Sequence, residues 1–107
     1  MWNWFRIKGK KYTDLSSLDF VRSSSHKGAV LMDVRTLGEY RSGHLKGAKH
    51  VDFFDATFRA HLDKLPRDKT YYVYCRSGNR SAKACKLMSE MGFDKVNNLS
   101  GGVMGLV

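Results

Sequence analysis

Residues 71–91 read YYVYCRSGNRSAKACKLMSEM and carry the two strongest secondary-structure signals in the chain. The run Tyr71–Tyr74 is continuously aromatic or apolar, which is typical of a strand buried on both faces of a parallel sheet. Beyond residue 81, apolar residues recur at helical spacing, and Gly92 follows where a left-handed residue often ends a helix. This apolar stripe consists of Ala84, Leu87, Met88 and Met91. The segment predicts a buried strand, a tight loop and a helix over residues 81–91.

Weaker signals of the same two kinds extend over the rest of the chain. Residues 30–32 are continuously apolar and predict a second buried strand. Shorter strands are expected near Tyr12, Val51 and Val96. Helices are expected over residues 15–24, where Leu18 and Val21 supply the apolar spacing, and around residues 58–65. Strands that alternate with helices in this way predict an α/β domain with a mainly parallel sheet.

The composition is that of one small globular domain. The chain has 107 residues, of which 42% are hydrophobic and 27% charged, so it has room for one core only. Its apolar runs are far shorter than the about 20 residues that cross a bilayer, and its first residues lack the apolar core of a secretory signal. Two cysteines do not make a disulfide scaffold. We therefore expect a soluble, cytoplasmic protein.

Positive charge is concentrated at the start of the chain, whose formal net charge is +9. Residues 1–10 are interpreted as a basic and aromatic segment that precedes a domain over residues 11–107. Such a segment can attract nucleic acid or anionic lipid. No RNA-binding motif or zinc-finger spacing accompanies it, so a solvated tail is favoured and no nucleic-acid partner is expected. Its aromatic residues could dock on the domain, contact a partner or touch a membrane surface.

Cys75 is the candidate nucleophile. It follows the carboxyl end of the buried strand, which is where ligands bind in open α/β folds, and is expected at the mouth of the loop. Gly78 and Asn79 most readily adopt positive φ, so the loop is expected to curl and turn its N–H groups inward. The start of the helix and the side chains of Arg76 and Arg80 add positive charge. All of these effects favour a thiolate of lowered pKa.

The other cysteine, Cys85, lies on the apolar flank of the predicted helix and is expected in the core. Helical rise alone separates Arg80 from Cys85 by about 7.5 Å. That separation is already at the limit of about 7 Å between the Cα atoms of a disulfide. We therefore expect no disulfide between Cys75 and Cys85.

The length of the loop separates two kinds of thiolate chemistry. Cys-dependent phosphatases place five residues between the cysteine and the arginine that binds phosphate. Here four residues separate Cys75 from Arg80, and the next position is Ser81. A shorter loop makes a narrower bowl, which suits a single sulfur atom better than a phosphate group. The count favours sulfur transfer.

Three segments, in order, resemble the single-domain rhodanese family. Residues 31–48 contain DVR, EY and GHLKGA, which are similar to the family's D-V-R, E-[YF] and G-H-I-x-G-A stretch. Residues 72–81 resemble its strand and active-site loop, including CRSGNRS, and residues 92–102 resemble its closing segment. The resemblance covers about residues 11–103. It implies a sheet of about five mainly parallel strands, flanked by helices on both faces.

The resemblance also implies a reaction. Members of the family use the loop cysteine to take a sulfane sulfur from a donor such as thiosulfate, and then pass it from a persulfide to a thiophilic acceptor. Carried over, Cys75 holds the persulfide, and N–H groups of the loop hold its terminal sulfur. The loop residues are Arg76, Ser77, Gly78, Asn79 and Arg80. Arg76 would attract the small anionic donor, with cyanide as acceptor in vitro and a thiol or a protein in the cell.

Supporting roles are assigned to a few residues outside the loop. Asp33 is expected to orient loop donors or an arginine, and Arg35 to give structural or electrostatic support, although turn capping or surface pairing explains them equally well. His44 is expected to fix its own loop by a hydrogen bond. No histidine has ligand spacing, so no metal and no cofactor are expected. Leu106 is expected to fill a core position where the family usually has tryptophan.

Two alternative functions stay open. The first is a rhodanese-like binding or sulfur-carrier module with negligible turnover of small molecules, and the intact loop argues against mere docking. The second is a Cys-dependent phosphatase or arsenate reductase, which the loop length disfavours. For Arg80 itself, a contribution to the site and a solvent-facing position at the helix start are equally compatible with the sequence.

Overall fold

The computed structural model describes residues 11–106. The strands are β1 Thr13–Leu15, β2 Ala29–Asp33, β3 Lys49–His50, β4 Thr70–Tyr74 and β5 Lys95–Leu99. They form one parallel sheet in the spatial order β1-β5-β4-β2-β3. The helices are α1 Ser17–Ser24, α2 Leu37–Arg41, α3 Phe58–Asp63 and α4 Asn79–Glu90, followed by a 3₁₀ helix, Val103–Leu106. The predicted α/β fold is confirmed. The basic segment predicted at residues 1–10 lies outside the described residues.

Side chains of β4 alternate between the two faces of the sheet, as the pleat requires. Tyr71 and Val73 pack with residues of α3 and α4 in one buried cluster. Tyr72 and Tyr74 pack with Phe20 of α1 in a second cluster on the other face. Helices therefore cover both faces. Because β4 lies between β5 and β2, it is buried on both sides, which accounts for its unbroken run of aromatic and apolar residues.

The orientation of α1 differs from the prediction. Leu18 and Val21 are 58% and 46% exposed, and the buried residue of this helix is Phe20. Its ring packs edge-on against Tyr72 and Tyr74, with centroids 5.7 and 6.5 Å apart. One aromatic side chain decides the buried face, since it removes more apolar area from water and gains specific ring contacts. The helix also begins later than predicted, because the expected start lies in β1.

The helix predicted after the loop is α4. It begins at Asn79, earlier than predicted, and buries Ala84, Cys85 and Met88. Cys85 therefore lies in the core as predicted, and both cysteines of the chain are free thiols. Gly92 has a φ of 98°, so a left-handed glycine follows the helix as expected.

Two smaller expectations about the core also agree with the structure. Phe58 and Leu62 are the buried residues of α3. Leu106 is partly buried and packs against the cluster that contains Phe20. None of the helices in residues 11–106 is long and apolar enough to cross a membrane.

The 3₁₀ helix packs directly on the loop between β4 and α4. The N–H groups of Val103 and Met104 donate to the carbonyl oxygens of Cys75 and Arg76, each at 3.0 Å. Gly102, just before this helix, has a φ of +66°, and a Cβ atom there would lie 2.2 Å from the Arg76 carbonyl oxygen. Only glycine permits this approach of the two backbones.

We expect Gly102→Ala to lower the free energy of unfolding by about 3 kcal/mol and Gly101→Ala by about 1 kcal/mol. Both glycines have positive φ, so both substitutions strain the backbone, but a Cβ atom at Gly101 meets nothing within 4 Å. The difference therefore measures the contact with the loop. Urea unfolding of the two variants tests this expectation, and equal losses would contradict it.

Candidate active site

Three hydrogen bonds converge on the sulfur of Cys75, where β4 ends. Sγ accepts from the backbone N–H groups of Gly78 and Ser81 at 3.1 and 3.3 Å. It also accepts from the Ser81 hydroxyl at 3.2 Å. The loop thus forms a cradle of inward-pointing donors, with Sγ itself at its centre.

The loop curls at a single glycine. Gly78 has a φ of 100° and immediately precedes α4. The expectation that Asn79 shares the left-handed conformation is wrong, because no residue other than glycine has positive φ in residues 11–106 and Asn79 is already helical. One left-handed residue suffices here, since the helix starts directly after it. The N–H groups of the first helical turn have no partner within the helix and can turn toward the sulfur.

Burial and hydrogen bonding act on the pKa of Cys75 in opposite directions. Burial raises this pKa, because a buried thiolate loses hydration. The Ser81 hydroxyl and the N–H groups of Ser81, Gly78 and Ser77 lower it and outweigh burial, so the pKa of Cys75 lies below its ordinary value. For Cys85 burial is the largest influence, and it raises the pKa of that thiol. Cys75 is therefore the more readily ionised of the two cysteines.

The sulfur is less accessible than the sequence suggests. Cys75 is 0% exposed, although we expected it at the mouth of the loop. The loop backbone folds onto Sγ from one side, and the 3₁₀ helix holds the Cys75 carbonyl from the other. A reagent can reach this sulfur only when the loop or its neighbouring side chains open locally.

The two arginines of the loop have different surroundings. Arg80 forms two hydrogen bonds with Glu39 of α2, at 2.7 and 3.0 Å between guanidinium nitrogens and carboxylate oxygens. Arg76 is exposed, and within residues 11–106 its side chain takes part in no hydrogen bond or ion pair. Ser77 and Asn79 are also exposed. Arg80 is therefore paired with another side chain and is not simply a solvent-facing residue at the helix start. Arg76 is the uncompensated charge of the loop.

Asp33 and Arg35 form a buried ion pair at the end of β2. Contacts of 2.7–3.0 Å join Nε and Nη2 of Arg35 to the Asp33 carboxylate, and Nη2 also donates to the Gly43 carbonyl at 2.7 Å. The Tyr74 hydroxyl accepts from the Leu45 N–H at 3.0 Å. In the described chain neither charged side chain bonds to the loop over residues 76–80. Asp33 thus orients an arginine, and the pair fixes the segment around residues 43–45.

His44 belongs to the same segment. Its Nδ1 atom lies 2.9 Å from the Tyr40 carbonyl oxygen, and its ring stacks on that of Tyr40 with centroids 3.7 Å apart. This agrees with the expected hydrogen bond that fixes the loop. Over residues 11–106, no group of three or more His, Cys, Asp or Glu side chains is arranged to hold a metal ion.

Comparison with known proteins places this fold in a family. The sequence profile of the rhodanese-like domain matches residues 17–107. The chain belongs to the rhodanese-like domain family. A rhodanese-like domain protein from Staphylococcus aureus has a TM-score of 0.76 at 25% identity, covering 89% of this chain and 91% of that one. A rhodanese-related protein from Thermoplasma volcanium has the same TM-score, 0.76, at 28% identity and the same coverage, 89% and 91%.

Several sequence relatives of this rhodanese-like domain have names that refer to sulfur. A sulfurtransferase from Allochromatium vinosum is 31% identical over 83 residues, which are 78% of this chain and 76% of that protein. A putative sulfurtransferase from Bacillus subtilis, YtwF, is 39% identical over 74 residues, 69% of each chain. A putative sulfur carrier protein from the same organism, YrkF, is 34% identical over 74% of this chain, but the match covers only 42% of that longer protein.

Sequence reasoning missed two residues of this rhodanese-like site. Ser81 donates both its N–H and its hydroxyl to Cys75. Its position in the first turn after the loop, where N–H groups lack helical partners, is a signal that could have identified it. Glu39 completes a capping box with Thr36, which the spacing in the sequence also indicates. Nothing in the sequence shows that the same carboxylate reaches Arg80.

We expect Ser81→Ala to slow alkylation of Cys75 by iodoacetamide about tenfold at pH 7, because a hydrogen bond to a charged group contributes about 1.5 kcal/mol. Since its donors lower the pKa of Cys75, losing one moves the alkylation curve to higher pH. The rate at high pH, where the thiol is fully ionised, should change little. Ser89→Ala is the matched control, since that hydroxyl donates to the Lys86 carbonyl elsewhere on α4. An unchanged pH profile in Ser81→Ala would contradict the assignment.

Proposed function

We propose that this rhodanese-like domain is a sulfurtransferase that carries sulfur as a persulfide on Cys75. In the first step the Cys75 thiolate attacks the outer sulfur of thiosulfate. A sulfur–sulfur bond to Cys75 forms, the bond between the outer sulfur and the sulfonate group breaks, and sulfite leaves with the electron pair. In the second step an acceptor thiolate attacks the outer sulfur of the persulfide and releases Cys75 as a thiolate. Charge and atoms balance in both steps.

The hydrogen-bond cradle around Sγ of Cys75 is the observation that carries this proposal. Its donors stabilise a thiolate at the point where the sequence enters α4. When an outer sulfur is added, the negative charge moves to that atom, and we propose that N–H groups of the loop over residues 76–80 stabilise it there. The names of the relatives support sulfur transfer in general.

The charge of the loop supports an anionic donor. The chain has a net charge of +9, and Arg76 is exposed next to the nucleophile without a partner in the described chain. Its guanidinium can attract thiosulfate and stabilise the sulfite that departs. Arg80, in contrast, is held by Glu39 at two points, so it does not form the arginine clamp that a phosphatase needs.

We further propose a thiol or a protein as the acceptor in the cell, with cyanide as a convenient acceptor in vitro. The two free cysteines suit the reducing cytoplasm, which we propose as the location. A sulfur-carrier module that hands its persulfide to a partner uses the same Cys75 chemistry. Turnover with small thiols separates that alternative from the sulfurtransferase.

We expect mass spectrometry after thiosulfate treatment to find one added sulfur, about 32 Da, on Cys75. Cys75→Ser should take up none, because a serine hydroxyl is not ionised at neutral pH and is a poor nucleophile toward sulfur. Cys85→Ser is the matched control and should keep the added mass, because burial raises the pKa of the Cys85 thiol and keeps it protonated at neutral pH. An unmodified wild-type protein, or sulfur located on Cys85, would contradict the proposal.

We expect Arg76→Gln to raise the KM for thiosulfate about threefold to tenfold, because it removes an unpaired charge beside the nucleophile. The assay follows the thiocyanate that forms from thiosulfate and cyanide. Lys95→Gln removes the same charge from an exposed residue at the start of β5, at the opposite end of the sheet. That control should leave KM close to its wild-type value. Equal changes in the two variants would assign the effect to overall charge rather than to Arg76.

A further inference from the structure

Glu39 is held in place by its own helix before it meets the active-site loop. Its Oε1 atom accepts from the N–H and the hydroxyl of Thr36, each at 3.0 Å, and the Glu39 N–H donates back to the Thr36 hydroxyl. The carboxylate is therefore fixed by the capping box at the start of α2. The remaining capacity of its two oxygens is directed at Arg80.

The guanidinium of Arg80 is held by two neighbours, the Glu39 carboxylate and the Phe54 ring. Its guanidinium binds both oxygens of the Glu39 carboxylate, which is the two-point geometry that favours arginine over lysine. The same guanidinium lies over the ring of Phe54, 5.5 Å from its centroid. The side chains of the pair are only 20% and 28% exposed, so solvent screens the pair less than an open surface pair. The hydrogen bond from Arg80 is the largest influence that lowers the pKa of Glu39 to about 2, so the carboxylate is charged at neutral pH.

The result is a loop with two arginines of which only one offers its charge to a ligand. Arg76 has no partner in the described chain, whereas the charge of Arg80 is neutralised by Glu39. Arg80 nevertheless immediately precedes Ser81, whose N–H and hydroxyl donate to Sγ, so its charge lies near the Cys75 sulfur. Any change that removes the Glu39 charge therefore alters the potential at the sulfur.

We propose that Glu39 is a positioning residue that anchors Arg80 and withholds its charge from Cys75 and from the incoming reagent, so that the ion pair sets how strongly the site prefers anionic over neutral reactants. This inference rests on the proposed function only in taking thiosulfate as the sulfur donor. The pair limits the affinity for anions such as thiosulfate. It also limits the retention of the anionic product, sulfite.

Glu39→Gln isolates the charge from the geometry. The side-chain oxygen of glutamine can still accept from the Thr36 N–H and hydroxyl, so the capping box is preserved. One hydrogen bond to Arg80 can also remain. What disappears is the negative charge, and the charge of Arg80 is then uncompensated beside the nucleophile.

The test compares alkylation of Cys75 by iodoacetate, an anion, with alkylation by iodoacetamide, which is neutral. Both reagents form the same thioether bond and release iodide, and both need the same opening of the buried sulfur, so their rate ratio cancels access and thiolate fraction. We expect the iodoacetate-to-iodoacetamide ratio to rise about threefold to fivefold in Glu39→Gln, as for one uncompensated charge near the reacting atom. Alkylation does not require sulfur transfer, so it reads this inference separately from the proposed function.

Two further variants complete the design. Arg80→Gln leaves the Glu39 carboxylate uncompensated and should lower the ratio, and the double variant Glu39→Gln, Arg80→Gln should return it toward the wild-type value. Glu90→Gln removes the same charge from the exposed end of α4 and should leave the ratio unchanged. A ratio that rises in Glu39→Gln and returns in the double variant supports the inference. A ratio that is unchanged or falls in Glu39→Gln overturns it, because Glu39 then either only holds the loop together or aims Arg80 at the anion.

Discussion

Hydrogen bonds to Sγ of Cys75 offset the loss of hydration that burial imposes on a thiolate, and the surrounding fold keeps their donors in place. Gly78 supplies the turn, and Ser81 in the first turn of α4 supplies a second N–H and a hydroxyl. The 3₁₀ helix then binds the carbonyl oxygens of Cys75 and Arg76 on the outer side of the loop. Because the carbonyls are satisfied from outside, the N–H groups can point inward. The hydrogen bonding around the sulfur thus depends on three segments that meet: the loop, the start of α4 and the 3₁₀ helix.

The parts of the fold that follow from local sequence patterns could be predicted from the sequence. Residues 71–74 form a continuous aromatic and apolar run, and the helix that follows has a regular apolar stripe, so both were predicted correctly apart from the helix start. The buried face of α1 could not be predicted from spacing alone. Leu18 and Val21 have the right separation, but Phe20 is the residue that meets the aromatic rings of β4, and this depends on how the helix docks.

The same division applies to the site. Cys75 and Gly78 carry their roles in local sequence, since one ends a strand and the other provides a left-handed turn. The pairing of Glu39 with Arg80 joins residues 41 positions apart, and the burial of Cys75 depends on a segment almost 30 residues farther along the chain. Local patterns contain no information on such contacts. Asp33 and Arg35 show the converse case, in which a recognisable motif turned out to hold a neighbouring segment and not the loop.

The consecutive residues Tyr74 and Cys75 belong to different buried clusters, one on each face of the sheet. Tyr74 holds the Leu45 segment on the side of α1 and α2, while Cys75 faces the side of α3 and α4. Because side chains alternate along a strand, inserting one residue into β4 would exchange these two destinations. All seven letters of CRSGNRS could then be intact while the thiol opened toward the wrong layer of helices. The motif therefore directs its thiol to the correct face of the sheet only when its position in the side-chain alternation of β4 is kept.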